Sequence, residues 1–153
     1  MYRRSGFTIV EIVVVIAVIS ILATIATVSY VGLQVRSRDE ERLADVETMK
    51  VALENFYEQR GRYPALTASE LANVPTFYDT TLRIPPAGLK APSGSTFSWV
   101  WNTTPTTSTY SLATYENVGG TLCTSTLSCT RYVIRWYSEA DSAVKTVTSK
   151  FGN

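Results

Sequence analysis

Apolar and polar positions fall into three blocks along the chain. In residues 7–35, 21 of 29 positions are apolar and Glu11 is the only charge. In residues 36–60, 12 of 25 positions are charged. Here the apolar residues Leu43, Val46, Met49, Leu53, Phe56 and Tyr57 recur at helical spacing on one face, with Glu40, Glu47, Lys50, Glu54 and Glu58 around them. Past Pro64 the period shortens to two: Phe97, Trp99 and Trp101; Tyr110, Leu112 and Thr114; Tyr132, Ile134 and Trp136; Val144, Thr146 and Thr148. Turn-forming clusters separate these runs at Thr103-Thr104-Pro105, Asn117-Val118-Gly119-Gly120 and Glu139-Ala140-Asp141-Ser142.

No proline precedes Pro64, and Gly32 is the only glycine between Phe7 and Arg60. The first two blocks therefore predict one helix from Phe7 to Arg60, roughly 80 Å long at ~1.5 Å per residue. Gly61 follows as its stop, and Tyr63-Pro64 begins an extended segment. The expected fold class is α+β: a long N-terminal helix, amphipathic in its second half, packed on a C-terminal antiparallel sheet of about four strands. Residues 64–95, which hold most of the prolines, read as a long loop with a helical turn near residues 68–71.

The uncharged run 12–35 is 24 residues long. As a helix it reaches roughly 36 Å, more than a ~30 Å hydrocarbon core, and its many Ile and Val residues do not make it a strand, because a lone strand leaves its backbone unsatisfied in lipid. Arg3 and Arg4 precede the run while Arg36 and Arg38 follow it, so charge leaves the orientation open. A secretory signal peptide cleaved near Thr24-Ile25-Ala26 is the alternative. Glu11 within the apolar stretch, and a length twice the usual, count against it.

Net charge is +1 and histidine is absent, which removes Ser-His-Asp and Cys-His catalysis and the commonest zinc ligand. Segregated composition argues against a compact soluble enzyme, and no acid–base pair is visible. No metal or other cofactor is expected. The stripe Trp99, Trp101, Tyr110, Tyr132 and Trp136 lacks a basic surround and reads as sheet core rather than a nucleic-acid stacking surface. The run Arg38-Asp39-Glu40-Glu41-Arg42 has two readings, a partner patch or a solvated face with i,i+4 pairs. Ser20, Thr24 and Thr27 share one face, either as a close-approach surface for neighbouring helices or as ordinary membrane-helix tolerance.

Glu11 is the most informative position. Unpaired in a membrane span, a carboxylate costs on the order of 3 kcal/mol. Either it snorkels to the headgroups or another chain supplies a positive partner. The octet Ser5-Gly6-Phe7-Thr8-Ile9-Val10-Glu11-Ile12, after a short basic leader and before a long apolar run, resembles the processing motif of type IV pilins and pseudopilins. The resemblance implies that a prepilin peptidase cuts between Gly6 and Phe7 and that Phe7 is then N-methylated. Cleavage there creates an ammonium one helical turn from Glu11. In a fibre the carboxylate meets the ammonium of a neighbouring subunit, and burial makes that pair a register lock. Gly6 suits the site because it lets a protease hold the chain extended without a side-chain clash. The sequence departs from the family pattern at Val28, where pilins often carry a kinking proline; Gly32 is a weaker point of loosening.

The resemblance assigns residues 1–6 to a leader, 7–35 to a transmembrane and filament-core half-helix, 36–60 to the amphipathic half, and 61–153 to the connecting loop and sheet domain. Its implied partners are further copies of the chain in a helical filament, the prepilin peptidase, an assembly platform with motor ATPases, and membrane lipid before assembly. The chain would sit in the cytoplasmic membrane first and in an extracellular filament afterwards, serving adhesion, motility or DNA uptake. A secretion pseudopilin and a monomeric membrane-anchored binding domain are the competing readings.

With the body outside the cytoplasm, Cys123 and Cys129, the only cysteines, read as a disulfide, and two reduced buried thiols are the alternative. Glu139 and Asp141 offer a weak calcium pair of the kind a C-terminal loop supplies in major pseudopilins, against a plain solvated turn. Asn102-Thr103-Thr104 is a glycosylation sequon or an ordinary turn.

Overall fold

The computed structural model describes residues 6–65, 76–94, 98–116, 120–124 and 129–151, with the backbone alone at 27–29. The chain divides into two compact units, Met1–Arg36 and Ser37–Asn153. One helix, α1 (Ile9–Arg60), contributes to both. It starts two residues after the expected Phe7, because Thr8 caps it. It stops where expected: Gly61 takes φ 69°, and its N–H closes on the Tyr57 carbonyl at 2.7 Å. The backbone of α1 is helical through Val28 and Gly32.

In the second unit, the end of α1 packs on a four-stranded sheet in the order β1 (Trp99–Trp101), β2 (Tyr110–Tyr115), β3 (Arg131–Ser138), β4 (Ala143–Thr148). The class is α+β, but the sheet is mixed. β2–β3 and β3–β4 are antiparallel, whereas β1 runs parallel to β2 with Trp99 opposite Tyr110. This corrects the all-antiparallel expectation. The eight residues 102–109 are not a hairpin. Asn102 takes a left-handed φ of 45°, and the Thr106–Thr109 turn completes a return to the starting end of β1. β2 then re-enters in the same direction, with the Tyr110 N–H donating to the Ser98 carbonyl at 2.8 Å.

Val46, Met49, Leu53 and Phe56 from α1 join Trp99, Tyr110, Leu112, Tyr132, Ile134 and Trp136 in one buried cluster. The aromatic stripe is thus core, with Trp101 partly buried at its margin. Two expected core positions are corrected. Leu43 is 47 % exposed, and Arg42, at 1 %, occupies the buried face instead. On β4, Val144, Thr146 and Thr148 face solvent while Val147, opposite Ile134, packs on the core. The two valines are three residues apart and so lie on opposite faces, and pairing with β3 selects Val147.

The expected loop 64–95 carries more structure than its weak periodicity indicates. A π-helical turn at Phe77–Thr81 and a 3-10 turn at Pro86–Leu89 deliver Phe77, Tyr78, Leu82, Ile84 and Leu89 to the core. The turn expected near residues 68–71, and Phe97, lie outside the described residues. Carboxylates on α1 tie the sheet down. Glu54 accepts from the hydroxyls of Tyr63 (2.8 Å) and Tyr132 (3.0 Å) and from the Lys150 N–H (2.9 Å). Asp45 accepts from the Tyr110 hydroxyl at 2.6 Å. Burial and the facing carboxylates hold both Tyr110 and Tyr132 well above the usual tyrosine range, so they remain protonated donors. Cys123 and Cys129 form a disulfide.

Candidate functional site

The start of α1 is built on a reciprocal cap. The Thr8 N–H and hydroxyl both donate to a Glu11 carboxylate oxygen at 2.9 Å, and the Glu11 N–H donates to the Thr8 hydroxyl at 3.2 Å. This is a capping box, Thr at the N-cap and Glu three residues on, and it satisfies two otherwise orphaned donors. Its signature in the sequence is Thr-x-x-Glu before an apolar run, a motif the reading of Glu11 as a charge alone leaves out. The cap gives Glu11 hydrogen-bond partners within its own chain but neutralises none of its charge.

Gly6 and Phe7 precede the helix in exposed, non-helical chain. Phe7 is 86 % exposed, and nothing approaches within 4 Å of where a Cβ on Gly6 would lie. From Phe7 to Leu33 every large apolar side chain described is at least 50 % exposed, and α1 is long and apolar enough to cross a membrane. The Ser20 and Thr24 hydroxyls donate to carbonyls four residues back, at 2.7 and 2.8 Å, so neither polar group needs an outside partner. The side chain of Thr27 lies outside the described residues.

Residues 1–27 match the family described as the prokaryotic N-terminal methylation motif. The chain carries a prepilin-type signal. That signal supports a type IV pilin-like or pseudopilin protein, and the exposed apolar half-helix behind it fits membrane anchoring and an extracellular filament. No curated protein and no solved structure matches the chain.

In the charge run, the reading as a solvated face is corrected at Arg38, Asp39 and Arg42, which turn inward. Arg42 donates to Asp39 (2.8 Å) and the Thr107 carbonyl (2.8 Å), and pairs with Glu139. Arg38 Nε reaches the same Glu139 carboxylate at 3.1 Å. Asp39 accepts from the Ser138 hydroxyl (2.8 Å) and the N–H groups of Glu139 (3.1 Å) and Ala140 (3.0 Å). The cluster pins the β3–β4 turn to α1. Burial pushes Asp39 up, but the hydrogen bonds from Ala140, Ser138, Glu139 and Arg42 outweigh it and hold the carboxyl below its usual range. Arg38, and then Arg42, hold Glu139 down against burial. Only Glu40 and Glu41 of the run stay exposed.

The weak calcium pair is likewise engaged elsewhere, Glu139 by the two arginines and Asp141 by Lys145 at 2.6 Å. Asn102 is exposed on its turn.

Proposed function

We propose that the chain is a structural subunit of a type IV pilus-like filament, with no catalytic role of its own. In this reading residues 1–6 are a leader cut off by a prepilin peptidase after Gly6, and Phe7 becomes the methylated N-terminus. Residues 7–35 hold the subunit in the membrane and then form the filament core. Residues 36–60 carry the domain of residues 61–153 on the outside. Glu11 pairs with the Phe7 ammonium of a neighbour and sets the axial register. The observation that carries this is the methylation motif on residues 1–27, leading into a half-helix whose described large apolar side chains are exposed.

The Cys123–Cys129 disulfide and the engagement of Glu139 by Arg38 and Arg42 favour a pilin over a calcium-holding secretion pseudopilin. The deciding experiment is mass spectrometry of the mature N-terminus together with electron microscopy of sheared surface material. N-methyl-Phe7 in filaments is the expected result. An N-terminus near Thr27, or processed protein found only as monomer, overturns the proposal.

A further inference from the structure

The face of the sheet turned away from α1 carries two arginines on one strand. On β3, Tyr132, Ile134 and Trp136 enter the core, which leaves Arg131, Val133 and Arg135 on the opposite face. Across β2, Tyr115 pairs with Arg131, Ala113 with Val133 and Ser111 with Arg135. Tyr115, Gly120, Arg131, Val133 and Arg135 line a cavity of about 330 Å³.

Both guanidiniums in this cavity lack a carboxylate. The arginines with an ion pair among the described residues are Arg38 and Arg42, held by Asp39 or Glu139. Arg131 and Arg135 have no ion pair and no side-chain hydrogen bond to any described residue, and Arg131 Nε is buried without a partner. On the same face, the Ser111 hydroxyl is also buried and unpartnered. A buried donor left open is costly and calls for an occupant. The fork of N–H donors on one guanidinium fits the two oxygens of a planar or tetrahedral oxyanion. Val133 supplies an apolar floor between them and the Tyr115 ring an apolar wall, so the rest of the ligand need not be charged.

We propose that this cavity is an oxyanion-binding site, taking a carboxylate or phosphate group on Arg131 with Arg135 as the second cationic contact. Four residues apart on one strand, the two arginines are spaced about 13 Å along it, which suits a ligand longer than a single ion. The proposal does not depend on filament formation.

The test follows arginine Nε–H resonances by NMR in the full chain in nonionic detergent micelles, titrated separately with inorganic phosphate and with glucuronate. Saturable movement of the Arg131 signal is expected, and the anion that saturates first tells phosphate from carboxylate. Arg131→Gln should weaken the binding about tenfold or more, read from the Arg135 signal. Arg135→Gln should weaken it less, read from Arg131, and it keeps the test open if the first variant does not fold. Lys90→Gln, which removes an exposed cation elsewhere, should change nothing. No saturation with either anion, or equal weakening by Lys90→Gln, overturns the site.

Discussion

The two halves of α1 share one backbone but solve opposite problems. In the first half, the large apolar side chains described from Phe7 to Leu33 are exposed, and hydroxyls at Ser20 and Thr24 turn back onto their own helix. In the second, Val46, Met49, Leu53 and Phe56 are buried against the sheet, and carboxylates at Asp39, Asp45 and Glu54 reach across to bind it. The first half closes its hydrogen bonds within itself, as a segment in lipid must. The second spends its polar groups on other elements. Helical continuity thus needs no common environment: each half is helical for its own reason, and Thr8 and Gly61 punctuate only the outer ends.

The sharpest way to break this contrast is at Glu11. Glu11→Gln keeps the Thr8 cap, since glutamine also completes a capping box, while it deletes the charge. Processed protein in the membrane should be unchanged by immunoblot, and filaments should be lost. Even ~1.4 kcal/mol per contact cuts each subunit addition tenfold. Thr8→Ala keeps the charge and loses the cap, so filaments should persist. Normal filaments from Glu11→Gln would leave Glu11 a cap and nothing more.

Next come the buried positions. Leu53→Ala should cost the sheet domain about 2–5 kcal/mol in thermal unfolding, whereas Val14→Ala, on the exposed half, should leave that transition in place. Leu43→Ala should stay within about 0.5 kcal/mol, because Leu43 lies outside the core. A large loss at Leu43 would place it in the core with Val46 and Met49.

Arg42→Ala leaves Glu139 and Asp39 short of a partner and should cost about 3 kcal/mol, with Arg38 still holding Glu139. The same cluster sets a pH dependence. Both carboxyls are held below their usual values of 3.8 and 4.5, so their contribution is complete above about pH 5 and is lost as pH falls past those values and through the lower ones of the folded state. Unfolding followed from about pH 7 down to about pH 3 should show a fall that is smaller in Arg42→Ala. An equal fall in both proteins would place the acid sensitivity elsewhere.

The smallest substantial effect is expected at the disulfide. Replacing Cys123 and Cys129 by Ser should lower domain stability by roughly 2–2.5 kcal/mol and leave membrane insertion untouched. Thiol alkylation of unreduced, denatured wild type should find no free cysteine.

Local chemistry by itself determined the membrane-length apolar run, the Gly6-Phe7-Glu11 spacing, the stop at Gly61 and the aromatic core strands. Each of these is a matter of period, of charge in an apolar setting, or of one residue's backbone freedom, and neighbours in sequence suffice to read it. The Thr8–Glu11 cap is equally local, since Thr-x-x-Glu before an apolar run is its signature. Only the tertiary structure decided the rest. Arg42 looked like surface because a buried arginine is tolerable only with Asp39, Thr107 and Glu139 around it, and two of those lie far along the chain. The parallel entry of β2, and the choice of Val147 over Val144, likewise depend on which strand each segment meets. Burial and register are properties of partners, and a partner distant in sequence leaves no local mark.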